Sequence, residues 1–323
     1  MHLETRVAGA LFSLVFLASC SGPNDSGNTN VACRPVTVTS AERSSALGGT
    51  VFTIVMENHS QDQILGNAAA PYINNLAAQG AVADGYHDSY VHPSEPNYLW
   101  MVAGENFGIL DDGDPGPSHV IAAQAHVADQ IEHAGLTWKA YEESMGQPCD
   151  LQSHGDYAVK HNPFGYFTDI NGWNGSRFDP PVRCAQHMVD YSELEADMAA
   201  GTLPDYVFIT PNLIHDMHDG SVADGDAWLS REVPKILATD AYRKGGVLFL
   251  LWDEGQGSSD NPPFLALSPD AKPGYTSPTQ YDTSSYLLTV QRILGLDELP
   301  CSARPDSVQP MSDLFSVPMP AKR

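Results

Sequence analysis

The stretch VFTIVMENHS, residues 51–60, decides the fold class. Its first half is apolar or β-branched, which is typical of a short strand that is buried on both faces of a sheet. The apolar run then stops, and Glu57, Asn58 and His59 follow at once. Runs of the same apolar kind predict further strands at Tyr206–Thr210, Val247–Trp252 and Phe264–Leu267.

Helical patterns separate these strands. Apolar residues at helical spacing, with Pro near a helix start and Gly at helix ends, predict helices at 70–79, 121–134, 192–200, 227–237 and 284–294. Strands that alternate with helices predict an α/β fold, a three-layer sandwich around a mostly parallel central sheet. We interpret residues 46–323 as a single domain, with an irregular, aromatic-rich insertion at about 141–190 on the substrate side.

The charge of the chain limits its partners. The 323 residues carry a formal net charge of −24. Such a charge disfavours nucleic acid and anionic membrane surfaces as electrostatic partners. A phosphorylated small molecule or lipid headgroup is compatible with it, because a bound metal ion can reverse the local field.

The N-terminal segment predicts export. Residues 8–20 form an apolar run of signal-peptide length, too short for a comfortable membrane span. The run ends in LASC, which resembles a bacterial lipobox, in which Cys20 becomes the lipid-modified first residue. We expect a lipoprotein signal peptide at 1–20 and a flexible tether at 21–45. The protein would then be a cell-envelope lipoprotein, periplasmic or on the outer surface, that meets the membrane only through its lipid anchor. A plain secretory signal, and hence a secreted protein, is the alternative.

The four remaining cysteines predict two disulfides. An even number of cysteines in an exported chain favours disulfide pairing, and three pairings can be drawn. We favour one bond within the insertion, Cys149–Cys184, and one that joins the ends of the domain, Cys33–Cys301. A metal site is the alternative, but no two of these cysteines have close ligand spacing.

Polar clusters follow three of the predicted strands. Ligands of open α/β sheets bind beyond the carboxyl ends of the strands, where these clusters would lie. Carboxylates gathered in one cleft raise each other's pKa unless a cation is present. The sequence therefore predicts one divalent metal ion held by Glu57, Asn58, Asp253 and Glu254. Oxygen ligands favour Ca²⁺, Mg²⁺ or Mn²⁺, with Zn²⁺ or iron as alternatives. The alternative is a structural role, in which each carboxylate caps a loop or a helix.

A further cluster, HPSEPNY at residues 92–98, predicts a nucleophile or a phosphate-binding residue. Pro96 lies just inside an apolar helical run, so Ser94 falls at or near a helix N-terminus. Backbone N–H groups there favour an anion such as phosphate. A serine hydroxyl is a poor nucleophile near neutral pH, and a metal can activate it. The alternative is an ordinary serine N-cap.

Five motifs in order carry a family resemblance. They are ENHS, HPSEPNY, KHNPFGYF, TPNLIHDMHDGSVADGDAWL and WDEG, within residues 51–296. Together they resemble the bacterial phosphoesterase family of the alkaline phosphatase superfamily, which holds acid phosphatases and phospholipases C. The resemblance implies an alkaline-phosphatase-like fold and a metal-dependent serine phosphomonoesterase of the acid phosphatase type, some relatives of which act on phosphoinositides.

The same resemblance implies roles for individual residues. Ser94 matches a nucleophile that forms a covalent phosphoseryl intermediate, and His218 matches a histidine that contacts the phosphoryl group or protonates the leaving oxygen. The other motif residues are implied to lie on the substrate side or around these groups: His92, Asn97, Lys160, His161, Asp216 and Asp219. For His161 the alternative is a cap of the neighbouring aromatic turn. His92 lies close to the nucleophile in the sequence, and it is either a catalytic base or a loop histidine with no role in the reaction.

The chain also departs from the family pattern. Glu95 stands where the family often has an apolar residue. The run 281–285 lacks a histidine that many members have, which favours one metal ion over two. Two other functions remain as alternatives: a phospholipase C-type phosphodiesterase, which shares the core motifs, and an inactive surface binding protein on the same scaffold.

Overall fold

The computed structural model describes residues 47–89, 91–256, 261–299 and 308–319, all within one compact unit, Ala32–Arg323. The described strands are β1 Val51–Met56, β2 Ala81–Tyr86, β3 Trp138–Glu142, β4 Met188–Asp190, β5 Tyr206–Thr210, β6 Val247–Trp252, β7 Phe264–Leu267 and β8 Tyr275–Tyr281. The described α-helices are α1 Gln61–Ile64, α2 Pro71–Gln79, α3 Ser94–Ala103, α4 Val127–His133, α5 Thr168–Asn171, α6 Val182–His187, α7 Ser192–Ala200, α8 Val222–Leu237, α9 Asp240–Arg243 and α10 Thr283–Leu294. Short 3₁₀-helices lie at Val159–His161, Pro163–Tyr166 and Ser312–Leu314.

The described strands form one 8-stranded sheet in the order β4-β3-β5-β1-β6-β7-β2-β8. Strand β7 pairs antiparallel with both of its neighbours, β6 and β2, and the other pairings are parallel. The prediction of a mostly parallel sheet is confirmed. Because β5, β1 and β6 are parallel neighbours at the centre, their carboxyl ends meet at one edge.

Strand β1 shows why the fold has three layers. All of its residues are buried, and they alternate between two hydrophobic cores. Val51 and Val55 pack in the core that also contains residues of α3, α4 and α10. Phe52 and Ile54 pack in the core that contains residues of α2 and α8. A central strand therefore needs apolar side chains on both faces, which is the pattern that VFTIVM shows.

The helix predicted at 121–134 is wrong in its first half. The structure has a helix only at Val127–His133, preceded by an irregular segment. Ile121 pairs instead with Phe167 in an isolated bridge, and Ala123 has a φ of 53°. The apolar residues before Val127 therefore belong to a loop and do not form one face of a helix.

Helix α8 begins earlier than predicted, at Val222 rather than at 227. The Ser221 hydroxyl accepts a hydrogen bond from the backbone N–H of Asp224, and the Asp224 side chain accepts one from the Ser221 N–H. This capping box fixes the helix start. The four strands predicted from the sequence have the predicted bounds.

The predicted insertion contains short ordered elements between β3 and the edge strand β4. Cys149 and Cys184 form a disulfide across it, as predicted. Cys20, Cys33 and Cys301, the signal peptide at 1–20 and the tether at 21–45 lie outside the described residues, so those expectations stay predictions. Among the helices that the structure describes, none has the length and apolar character needed to cross a membrane.

Candidate active site

The centre of the candidate site lies where β1 and β6 end. Glu57 follows β1 directly, and Asp253 follows β6. The backbone N–H of Asp253 donates to the carbonyl of Met56 at 3.0 Å, and the Glu57 N–H donates to the carbonyl of Asp216 at 2.8 Å. Asn58 has a φ of 49°, and its backbone N–H donates to Asp253 Oδ1 at 3.2 Å. The backbone thus places the acidic residues of three strand exits side by side.

Three carboxylates form the deep half of this site. Glu57, Asp216 and Asp253 are completely buried. Glu57 Oε1, Asp216 Oδ2 and Asp253 Oδ2 accept no hydrogen bond from the described residues. Burial first, and then the charges of Asp253 and Asp216, raise the pKa of Glu57 well above its ordinary value. Burial and the charge of Glu254 raise the pKa of Asp253, and burial raises the pKa of Asp216 to about 7.

Ser94 lies against this carboxylate group. It is the first residue of α3 and is 1% exposed. Its hydroxyl donates to Glu57 Oε2 at 3.0 Å. The N-cap residue of α3 is Pro93, and no side chain caps that helix end. The ordinary N-cap alternative is therefore wrong, and the hydroxyl is directed to a carboxylate at the sheet edge.

His161 lies between two of the buried carboxylates. Its Nε2 is 3.3 Å from Glu57 Oε1, and its Nδ1 is 3.2 Å from Asp216 Oδ2. The ring stacks on Tyr98, with 5.1 Å between the ring centres. Burial, and then the charges of Lys160 and His218, lower the pKa of His161 well below its ordinary value, so the imidazole is neutral. The structure brings this residue to the carboxylates, deeper than the substrate side that the resemblance implied.

Lys160 and His218 line the more exposed half of the site. Their side chains are 18% and 27% exposed. Asp219 Oδ1 is 2.7 Å from Nδ1 of His218, and His218 Nε2 is 3.3 Å from the ammonium of Lys160. Lys160 also donates to Asp112 Oδ2 at 2.8 Å. Burial alone would lower the pKa of Lys160, but the hydrogen bond to Asp112 and nearby carboxylates raise it, so the side chain is a cation.

Glu254 faces different partners from Asp253, its neighbour in the chain. His92 Nδ1 is 2.6 Å from Glu254 Oε2, and Asn97 Nδ2 donates to the same oxygen at 3.1 Å. Burial raises the pKa of Glu254 to about 7, against the lowering effect of His92. The two acids of the predicted pair therefore have different surroundings: Asp253 lies among the buried carboxylates, and Glu254 pairs with the more exposed His92.

The arrangement fits a divalent cation. Ligand atoms of Glu57, His161 and His218 all lie within 4.8 Å of one another. Glu57 Oε1 and His161 Nε2 approach each other without forming a hydrogen bond, and Asp253 Oδ2 is a further buried atom without a partner. Buried polar atoms without partners are costly, and a cation would satisfy them. Imidazole nitrogens were absent from the predicted ligand set, which named only Glu57, Asn58, Asp253 and Glu254.

Sequence reasoning missed Asp112. It lies in the segment LDDGDPG, where a run of acids gives no sign of a partner. Its carboxylate joins the α3 backbone to Lys160, since Oδ1 accepts from the Glu95 N–H at 3.0 Å.

Comparisons with known proteins identify the family. The Phosphoesterase family matches residues 67–297. The chain belongs to this family. A phosphatidylinositol-3-phosphatase of Mycobacterium tuberculosis is 33% identical over 271 residues, which is 82% of this chain and 82% of that protein. An acid phosphatase of Aspergillus fumigatus is 28% identical over 241 residues, 72% of this chain and 51% of that protein. This chain thus spans about half the length of that phosphatase.

A phospholipase C is a further relative, and a solved structure shares the fold. A non-hemolytic phospholipase C of Burkholderia pseudomallei is 26% identical over 218 residues, 61% of this chain and 31% of that protein. A solved member of the alkaline phosphatase superfamily from Vibrio parahaemolyticus has a TM-score of 0.55 at 10% identity, covering 79% of this chain and 69% of its own. The fold is therefore that of the superfamily, and the protein is a phosphoric ester hydrolase.

Proposed function

We propose that the protein is a metal-dependent phosphomonoesterase in which Ser94 is the nucleophile. The observation that carries the proposal is the Ser94 hydroxyl bonded to Glu57 Oε2 among buried carboxylates that have free oxygens. A serine with only a structural role would not need buried carboxylates around its hydroxyl. Phosphate monoesters are the proposed substrates, and phosphorylated lipid headgroups are included because a phosphatidylinositol-3-phosphatase is among the relatives.

In the proposed first step Ser94 Oγ attacks phosphorus, and the bond to the leaving oxygen breaks in line with the attack. The Ser94 proton passes to Glu57, which already accepts the hydroxyl hydrogen bond at 3.0 Å, and the leaving oxygen takes a proton from water and departs as the alcohol. Lys160 stabilises the negative charge of the phosphoryl oxygens. His218 faces the same group, and Asp219 holds its ring through Nδ1. Water then hydrolyses the phosphoseryl intermediate and releases phosphate.

Glu57, Asp253 and His161 are the proposed metal-binding residues. A divalent cation held there would polarise the phosphoryl oxygens and lower the pKa of the serine hydroxyl. The mixture of carboxylate and imidazole favours Zn²⁺, Mn²⁺ or iron over Ca²⁺ and Mg²⁺. His218 also has a ligand atom near Glu57 and His161, so it could bind the metal instead of the phosphoryl group. Measuring the bound metal in His218→Asn distinguishes the two roles. If His218 contacts the phosphoryl group, the variant is expected to keep the metal and lose turnover.

The site of action is also a proposal. We propose that residues 1–20 direct export and that Cys20 carries the lipid anchor, which places the enzyme in the cell envelope. A phosphate ester outside the cytoplasm would then be the substrate.

The experiment is a comparison of two chromogenic substrates, a phosphate monoester and a phosphate diester, between pH 4 and 9. Wild type and Ser94→Ala are measured with and without chelator, and circular dichroism checks that the variant is folded. We expect monoester turnover that falls by a factor on the order of 10⁴ or more in the variant and is lost with chelator. Preference for the diester would favour a phospholipase C-type activity, in line with the phospholipase C relative. Wild-type turnover in Ser94→Ala would exclude the proposed nucleophile.

A further inference from the structure

Glu95 is a buried carboxylate beside the nucleophile that the proposed reaction does not use. It is the second residue of α3 and is completely buried. His119 Nδ1 lies 3.0 and 3.1 Å from its two oxygens, and the Gly113 N–H donates to Oε2 at 2.8 Å. A buried carboxylate is costly unless such partners satisfy it. These bonds connect the start of α3 to the loop between α3 and α4.

The loop is held tightly at Gly113. Its carbonyl accepts a hydrogen bond from the Tyr166 hydroxyl at 2.7 Å. A Cβ atom added at Gly113 would lie 2.7 Å from Nε2 of His119, closer than side chains tolerate. The histidine ring therefore packs directly on the glycine backbone while it bonds Glu95. This contact fixes the position of the residue that precedes Gly113, which is Asp112.

Asp112 carries the connection into the active site. Its Oδ1 accepts from the backbone N–H of Glu95 at 3.0 Å, and its Oδ2 accepts from the Lys160 ammonium at 2.8 Å. The same ammonium is 3.3 Å from His218 Nε2. A short chain of contacts thus leads from the buried Glu95–His119 pair to the cation at the exposed half of the site.

We propose that Glu95 and His119 are positioning residues, which fix Asp112 and thereby hold Lys160 where it meets the phosphoryl group. This inference rests on the proposed function, because it assigns Lys160 to the phosphate. The pair contacts neither substrate nor metal ligands. Its loss should therefore weaken binding of phosphate and monoester and leave the metal content unchanged.

The test combines His119→Ala with Lys160→Met in a double-mutant cycle. The measurements are KM and kcat for a phosphate monoester, the dissociation constant of inorganic phosphate by calorimetry, the bound metal and the melting temperature. A charge-assisted hydrogen bond to phosphate corresponds to about a 10-fold effect or more, so we expect about that rise in KM and in the phosphate dissociation constant, with kcat changed less than about 2-fold. In the Lys160→Met background, His119→Ala should add less than about 2-fold, because the path runs through Lys160.

Two further variants keep the test valid if His119→Ala folds poorly. Gly113→Ala should displace the His119 ring and reproduce the rise in KM with both charged partners still present. His119→Asn should restore wild-type binding, because its amide nitrogen can occupy the place of Nδ1 and donate to Glu95. The matched control is His126→Ala, which removes a buried histidine that pairs with Asp169 and Asp129 instead. It should lower the melting temperature without changing KM.

The outcomes separate the two proposals. Equal effects of His119→Ala in the two backgrounds, or the same KM change in His126→Ala, would overturn the positioning role and leave a structural one. Absence of wild-type turnover would overturn the proposed function alone, since the calorimetric phosphate cycle still reports on the path through Lys160.

Discussion

Among the described residues, two groups of histidine and carboxylate side chains bring three possible metal ligands together, and they differ in what balances their charge. One is the active-site group of Glu57, His161 and His218, and the other is His126 with Asp129 and Asp169. Both contain a fully buried or nearly buried imidazole close to acidic oxygens. By residue type alone, either could hold a metal ion.

Arg183 balances the charge of the group that contains His126. Its guanidinium donates to Asp129 at 2.7 Å and to Glu132 at 2.8 Å, and it also bonds Asp169. Burial would raise the pKa of Asp169, but the hydrogen bond from His126 and the charges of His126 and Arg183 lower it to about 2. This second group, which we call the Arg183 cluster, already contains its cation.

The active-site carboxylates show the opposite behaviour. Burial first, and then the charges of neighbouring carboxylates, raise the pKa of Glu57 and of Asp253 well above their ordinary values. Oxygens of both residues lack partners among the described residues. Proximity of histidine and acid therefore does not define a metal site. An unbalanced charge with free ligand atoms is the more informative feature.

The largest expected effect comes from Glu57→Gln. A divalent ion at 100 times its dissociation constant should raise the free energy of unfolding of the wild type by about 2.7 kcal/mol, and this gain should vanish in the variant. Without metal the variant should be at least as stable as the wild type, because it removes a buried carboxylate whose Oε1 has no hydrogen-bond partner among the described residues. Thermal unfolding of both proteins with and without Zn²⁺ or Mn²⁺ measures the metal-dependent gain and the stability without metal.

Asp169→Asn is the matched control, since it removes a carboxylate from the Arg183 cluster. It should keep the full metal-dependent gain. If Glu57→Gln kept that gain and Asp169→Asn lost it, the assignment of the two clusters would be reversed.

A smaller effect is expected from Arg183→Met, which removes the cation and keeps much of the apolar packing. It should lower the free energy of unfolding by about 1–2 kcal/mol, a range that allows for the partial exposure of the carboxylates. Urea unfolding at neutral pH measures the loss, and monoester turnover should stay at the wild-type rate. Unchanged stability would mean that the cluster is only a set of solvated surface charges.

The smallest effect is the pH dependence of the Arg183 cluster. The pKa of Asp169 is lowered in the folded state from 3.8 to about 2. A depressed folded-state pKa stabilises the fold above the unfolded pKa, and this contribution is lost as pH falls toward the folded one. The stability difference between wild type and Asp169→Asn should therefore be below about 1 kcal/mol and constant from pH 7 to 5, and should shrink below pH about 4.

Urea unfolding of both proteins from pH 3 to 7 gives that difference. The exposed Asp62→Asn serves as the control and should show no such trend. A difference that grows on acidification would contradict the assigned pKa direction.

The strands at the site could be predicted, and several others could not. Fully buried strands such as β1 and β6 are continuous apolar runs, so their bounds are visible in the sequence. The edge strand β8 reads YTSPTQY and is mostly polar, with a proline that only an edge position tolerates well. Its pattern does not differ from that of a loop. Strand β4 lies at the other edge and has only 3 residues, too few to show a pattern in the sequence.

The sequence by itself determined the fold class, the strand exits that carry Glu57 and Asp253, and Ser94 at a helix start. Local patterns specify these features, because an apolar strand and a proline near a helix start each span only a few residues. Only the tertiary structure decided that His161 lies between carboxylates, that Asp112 holds Lys160, and that Arg183 neutralises the other acidic cluster. These contacts join segments that are far apart in the chain. Their charge balance depends on distances of a few ångström, which no local pattern encodes.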